Sequence, residues 1–233
     1  MTGPLLVKAY LGSPLAGDPP HLDALMEWCL SPFQEDFRRQ QDQGEPHYRV
    51  DRSRSAPPLA AINIPLLRIN VGGWPVACCS SPILQVVAET VEHVNKRIGV
   101  EAASLLAPEH RRVIATTNSW TKSYRLPLRV RVVPCVAWFA RGNRREVQKV
   151  LRDAKSIGKK VADGYGRVRE WIVEDIGDDW SWFSKSDAGM VLMRPLPQSA
   201  KLPSDLIGSR RDFGACCPPY WHSGRNTDIM VPC

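Results

Sequence analysis

Apolar positions recur along this chain with two periods, and the switches between them lay out its elements. Leu5 to Leu11 alternates as a strand does. Asp18 followed by Pro19 and Pro20 predicts a helix that opens with proline in its first turn. Leu22, Leu25, Met26 and Leu30 give that helix a buried face, and Pro32 ends it. Residues 34–58 are polar, carry five arginines and close on Pro57-Pro58, which reads as a loop with one strand near His47 to Val50. Ala60 to Val71 reads as a strand, and Gly72-Gly73 turns it into a second strand over Pro75 to Cys79. After Ser81-Pro82 the spacing of Ile83, Val86, Val87, Val91, Val94 and Ile98 predicts a helix closed by Gly99. Leu126 to Phe139 reads as one long strand with Arg129 and Arg131 on alternate positions.

The next helix is the best specified. Asn143 can cap it, Glu146 stands at the capping-box distance, and Val147, Val150, Leu151, Ala154 and Ile157 form its apolar stripe up to a terminal Gly158. Then comes Gly158-Lys159-Lys160-Val161-Ala162-Asp163-Gly164-Tyr165-Gly166-Arg167, a glycine-punctuated basic loop leading into a strand over Val168 to Val173. Glycine lets backbone approach a phosphate and turn its N–H groups toward it, while Lys and Arg supply counter-charge. The loop therefore reads as a phosphate clasp. It is not a nucleotide-hydrolase loop, because Val161 follows Lys160 where Ser or Thr is required. Nor is Gly164-Tyr165-Gly166 a dinucleotide fingerprint, since it leads into a strand and lacks the third glycine.

The order strand, helix, strand pair, inserted helix, strand, helix, glycine loop, strand predicts an α+β fold close to the βαββαβ arrangement of ferredoxin-like and RNA-recognition domains. It spans residues 1–176, with the inserted helix and a basic thumb-like finger at about 80–126. Residues 177–233 hold Trp180, Trp182, Phe183 and many prolines. That composition predicts an irregular segment packed on the main domain, with one strand at Gly189 to Arg194. No repeat of solenoid period is visible.

Charge sharpens the picture. The formal net charge is +7 over 233 residues. Residues 110–131 hold six Lys or Arg and no acid, and residues 141–169 hold ten against three, so these windows carry +6 and +7 and the rest of the chain about −6. A basic zone on an acidic body is the footprint of a nucleic-acid site. Within the first window Trp120 and Tyr124 interleave with Arg111, Arg112, Lys122 and Arg125, the combination of stacking and charge that holds single-stranded RNA. Seven cysteines without any Cys-x-x-Cys argue for reduced thiols rather than a metal site. The absence of a long apolar run argues against membrane insertion and secretion.

The order helix, GKK, GYGRV, strand resembles the glycine-rich loop of the repeat-associated RAMP superfamily, the RNA-binding subunits of CRISPR effector complexes. With Gly17-Asp18-Pro19-Pro20-His21-Leu22-Asp23-Ala24-Leu25 and Lys122-Ser123-Tyr124-Arg125-Leu126-Pro127-Leu128, the chain is most similar to the small guide-capping subunit of type IV systems, over roughly residues 4 to 175. The resemblance implies a cytoplasmic, non-enzymatic subunit that caps the 5′ repeat-derived handle of the guide RNA. It also implies docking against a backbone RAMP subunit and a large-subunit-like protein near the target's flanking motif, where target DNA lies. Contact with the guide is carried over to Lys159, Lys160, Gly164, Tyr165, Gly166 and Arg167. In the relatives a hairpin thumb matching residues 110–131 lies across the guide. No cofactor, metal ligand or catalytic residue is expected. Two rivals stay open: a metal-independent endoribonuclease using His21 or His110 as base, and a structural adaptor whose basic zone meets an acidic protein.

Overall fold

The structure is a computed structural model that describes residues 2–31, 62–97 and 123–233. Its centre is set by alternation. Leu5, Val7 and Ala9 are fully buried while their neighbours are not, so β1 (Gly3–Leu11) lays one apolar face on the core. The chain then passes through β2 (Leu15–Ala16), α1 (Leu22–Leu30), the hairpin of β3 (Arg68–Val71) and β4 (Trp74–Ala77), β5 (Ile83–Leu84), β6 (Ala88–Lys96), β7 (Tyr124–Val132), β8 (Cys135–Gly142), α2 (Arg144–Leu151) and β9 (Val168–Asp175). Six short strands follow: β10 (Phe183–Ser186), β11 (Gly189–Leu192), β12 (Leu196–Pro197), β13 (Leu206–Ile207), β14 (Ser209–Ala215) and β15 (Asn226–Pro232). The fold is mixed α+β and rich in strands, with two helices among the described residues.

The main sheet has the order β5-β8-β1-β9 and is antiparallel throughout. Leu22, Leu25 and Met26 of α1 and Val147 and Leu151 of α2 join Val136, Trp138 and Ala140 of β8 and Val173 of β9 in one buried cluster, so both helices cover the same face. Asn143 caps α2 as expected, its side chain accepting from the Arg145 and Glu146 amides. The opposite face stays half-exposed and carries Tyr10 and the Lys8–Glu174 ion pair.

Several expectations are corrected. No helix follows Ser81-Pro82: the segment forms β5 and β6, and β6 pairs residue by residue with β7 from Ala88↔Val132 to Lys96↔Tyr124. Val87, Val91 and Val94 fit a helical stripe by count, but β-branched residues pack well on a pleated ribbon, and Glu89 pairs with Arg129 across it at 2.8 Å. The long strand over 126–139 is two strands in different sheets, divided at Val133-Pro134, where the Leu11 amide donates to the Pro134 carbonyl. Helix α2 stops at Leu151 rather than Gly158, because residues 155–157 leave it to pair with 166–168: the Ile157 amide donates to Gly166 and the Val168 amide to Lys155. Ala154 and Ile157 are buried all the same. His21, not Asp18, precedes α1, and Leu30 is 40% exposed. The strand expected over Ala60 to Val71 is regular only from Arg68. The C-terminal segment is not irregular but forms the sheets β10-β11-β13, with β11 and β13 parallel, and β12-β15-β14. The strand expected near His47 and the segment 98–122 lie outside the described residues.

The described residues form two hydrophobic cores, and a polar cluster joins them. The second core gathers Val76, Leu192, Leu196, Cys216, Cys217 and Ile229. Between it and the first lies Arg194, fully buried, whose guanidinium donates to the carbonyls of Ala77 (2.7 Å), Cys79 (3.1 Å) and Cys216 (2.8 Å), to Asp23 Oδ2 (3.2 Å) and to Tyr220 Oη (2.8 Å). Tyr220 Oη in turn donates to Asp23 (3.0 Å). Burial alone would push the guanidinium down, but Tyr220, Cys79 and Asp23 hold it well above its ordinary value, so it stays charged. Burial raises the Tyr220 phenol, which stays neutral and can donate.

Removing one partner of a buried charge pair leaves the other uncompensated, at about 3–5 kcal/mol. Arg194→Met is therefore expected to lower the unfolding free energy in urea by that amount. Arg194→Met combined with Asp23→Asn should cost clearly less than the sum of the two single changes, because the second removes the charge that the first stranded. Strict additivity would mean that the two groups do not interact.

Candidate functional site

The glycine loop is held from behind by the turn between β1 and α1. The Lys159 amide donates to Ala16 O (2.8 Å), the Gly166 amide to Pro14 O (2.8 Å), the Arg167 amide to Ser13 Oγ (2.9 Å), and the Gly12 amide returns a bond to Arg167 O (2.8 Å). Gly166 has φ 61°, and a Cβ there would lie 1.8 Å from the Ile157 carbonyl oxygen, so no other residue fits. The expectation that the glycines turn their amides outward is thus corrected: the amides of Lys159, Gly166 and Arg167 face the protein, and those of Asp163 and Gly164 close a 3₁₀ turn over Val161–Asp163. What the loop presents outward is side chains, together with the amides of Lys160, Val161 and Ala162, which have no acceptor among the described residues.

Those side chains are cationic. Lys159 and Arg167 are exposed and make no ion pair among the described residues, and Lys160 pairs loosely with Asp163 (3.3 Å). Lys160 has φ 58°, the one non-glycine residue in the left-handed region among those described. Such strain persists only where the surrounding structure enforces it, here the bonds on either side of Lys160. Gly17 leaves room for the Lys159 side chain to lie across the turn, since a Cβ there would be 2.8 Å from Lys159 Cδ.

Tyr165 ties the loop to the β6–β7 ribbon. Its hydroxyl donates to Glu92 Oε2, and that bond raises the phenol above its ordinary value, so it stays protonated. Directly paired residues share a face of the ribbon. Glu92 and Leu128 therefore face the loop, and farther along the ribbon so do Lys96 and Tyr124, whereas Arg125 and Asn95 face the other way with Arg129. The ribbon's base is fixed by β2, which pairs with β7, and by Arg131, which is 6% exposed and reaches Asp18 (2.7 Å) and Gly17 O (2.5 Å). The structure thus brings Lys159, Lys160, Gly164, Tyr165, Gly166 and Arg167 together beside the ribbon. Tyr124 lies on the near face and Arg125 on the far one. Arg111, Arg112, Trp120, Lys122 and His110 lie outside the described residues.

His21 lies at the head of α1 against Tyr220. It stacks on Tyr220 with ring centroids 4.8 Å apart, its Nδ1 is buried without a hydrogen-bond partner among the described residues, and burial followed by the Arg194 charge lowers it to about 4. Although the residue keeps some surface exposure, it belongs to the cluster that joins the two cores. Sequence reasoning missed that cluster, because Asp23, Arg194 and Tyr220 are far apart in the chain and nothing local marks them as partners. Among the described residues no disulfide forms, and no His, Cys, Asp or Glu group able to hold a metal occurs. No described helix is long and apolar enough to cross a membrane. No family model matches the chain, and no curated protein matches it.

Two measurements check this geometry. Gly166→Ala should cost roughly 2–3 kcal/mol, from a left-handed Cβ and the strained Ile157–Gly166 bond, whereas Lys160→Gly should raise the denaturation midpoint, removing about 1 kcal/mol of left-handed strain. The second is pH dependence. His21 binds a proton less readily folded (about 4) than at its ordinary value of 6.5, so its contribution is intact above pH 6.5 and is lost as pH falls through 4. The loss should approach about 3 kcal/mol, and His21→Phe should flatten that part of the stability curve relative to wild type.

Proposed function

We propose that this protein is a non-catalytic RNA-binding subunit of a CRISPR effector complex, of the RAMP kind, that caps the 5′ repeat-derived handle of the guide RNA. The observation that carries the reading is the exposed cationic crown of the glycine loop, braced by the turn at residues 12–17 and joined through Tyr165 to a two-stranded ribbon. An RNA phosphate would meet Lys159, Lys160 and Arg167 there, with Tyr124 on the ribbon's near face available to a base. The strand order β5-β8-β1-β9, with a helix after β1 and another after β8, fits the ferredoxin-like path that RAMP domains share and supports the same reading. The β6–β7 ribbon, a pair of strands where a helix was expected, suits a thumb that lies along RNA. His21, stacked on Tyr220 and lowered to about 4, is a weak proton acceptor, which speaks for the binding reading over the endoribonuclease. Neighbouring subunits and target DNA belong to the proposal by resemblance.

Replacing Lys159, Lys160 and Arg167 together by Ala should weaken retention of a short handle RNA, each lost phosphate contact reducing the salt slope by about 0.7. An equally long scrambled strand should compete poorly for the wild type. Affinity that is flat from low to physiological salt, or equal competition by the scrambled strand, would defeat the proposal. Wild-type protein should leave repeat RNA uncut in the presence of chelator.

A further inference from the structure

Basic charge does not stop at the glycine loop. Some described cations around it are paired with acids, among them Arg129 with Glu89, Arg144 with Asp175 and Lys160 with Asp163. Arg152, Lys155 and Arg169 make no ion pair among the described residues, and they surround a groove of about 360 Å³ between the end of α2 and β9. Its wall includes the indole of Trp171 and the side chain of Gln148. Glu170, its single acidic lining residue, pairs with Tyr10 on β1 and so shares that residue's sheet face, whereas Trp171 pairs with the buried Ala9; Arg169 stands between them at the shift in the β1–β9 register.

The groove's parts are held in place. Trp171 Nε1 donates to Ala154 O (2.8 Å), and the indole stacks on the buried Trp138 with ring centroids 5.9 Å apart. Lys155 Nζ donates to the Arg152 carbonyl (2.6 Å), which keeps its ammonium at the end of α2. The aliphatic part of Arg169 lies over Gly12, where a Cβ would stand 2.7 Å from Arg169 Cγ. A fixed, half-exposed aromatic ring beside three uncompensated cations is the combination that holds an unpaired nucleotide: phosphate by charge, base by stacking. The volume is at the small end for a ligand site, room for one nucleotide and not for a duplex. Arg167 and Arg169 stand two residues apart on one extended stretch, roughly 7 Å, a distance comparable to the step between neighbouring phosphates of an extended strand.

We infer that this groove holds one further nucleotide of the RNA strand that engages the glycine loop, its phosphate among Arg152, Lys155 and Arg169 and its base against Trp171. The inference rests on the RNA-binding reading and extends the path of the strand around the β9 edge. It is tested on the full chain with the handle RNA. Arg152→Gln combined with Lys155→Gln, both at exposed positions and expected to melt with the wild type, should reduce the salt slope by about 0.7, the share of one phosphate. Photo-crosslinking of wild-type protein to the same RNA carrying 4-thiouridine should yield a crosslinked peptide containing Trp171, and Trp171→Phe should reduce its yield several-fold. RNA bound with an unchanged slope in the double variant, and crosslinks confined to the glycine loop and ribbon, would overturn the groove while leaving the RNA-binding reading standing. No RNA binding by the wild type would defeat both. Binding of an acidic peptide to the groove in preference to RNA would also overturn it.

Discussion

A single buried charge ties this molecule together. Arg194 carries its guanidinium into a place without solvent, where an uncompensated cation would be costly. It is accommodated because three carbonyls, a phenol and the Asp23 carboxylate converge on it. The acceptors come from three pieces of chain: the exit of β4, the first turn of α1 and the segment between β14 and β15. Satisfying one side chain therefore fixes how the C-terminal sheets sit on the helix-covered main sheet. The Ala77 carbonyl also accepts from Trp182 Nε1 at 2.9 Å and from the Cys79 amide at 3.0 Å. The same stretch reaches the main sheet through the Cys79↔Ala140 bridge, and the Ser81 amide donates to Met193 O.

That anchoring bears on the candidate site through α1. The helix carrying Asp23 leads back through Pro20, whose carbonyl accepts from Trp138 Nε1, to the turn at residues 12–17 that braces the glycine loop. The loop is consequently a fixed platform rather than a hinged one. Its glycines serve close packing: Gly166 against the Ile157 carbonyl, Gly158 against Leu15 and Ala16. Outward function falls to Lys159, Lys160, Arg167 and the protonated Tyr165. On the proposed RNA-binding reading, such a loop would display charge on a rigid scaffold and lose little ordering entropy on binding.

The pattern of ion pairs supports a division of labour along residues 141–169. Arg129 and Arg131 at the ribbon base and Arg144 at the start of α2 are each paired with an acid. Lys159 and Arg167 on the loop and Arg152, Lys155 and Arg169 along the α2–β9 groove make no ion pair among the described residues, and Lys160 pairs only with Asp163 of its own turn. A solvated basic face would not require its cations to border fixed, half-buried rings.

Local chemistry made part of this legible in the sequence. The alternation of Leu5, Val7 and Ala9 determined β1. Asn143 determined where α2 begins, and Gly72-Gly73 determined the β3–β4 hairpin. The density of Lys and Arg around Gly164-Tyr165-Gly166 marked the loop as the place to look. Each signal acts within a few residues, so no partner was needed to interpret it. Tertiary pairing decided the rest. Val87, Val91 and Val94 satisfy a helical count equally well, and only β7 as a neighbour makes them a strand. Ala154 and Ile157 belong to the core whether or not the helix reaches them, and α2 ends early because Ile157 and Val168 bond to the returning chain. The proline-rich tail looked irregular because its strands are short and its core is shared with Val76, far back in the sequence. Asp23, Arg194 and Tyr220 carry no local signal at all: a buried salt bridge is a property of the space between elements, and it exists only once the chain has folded around it.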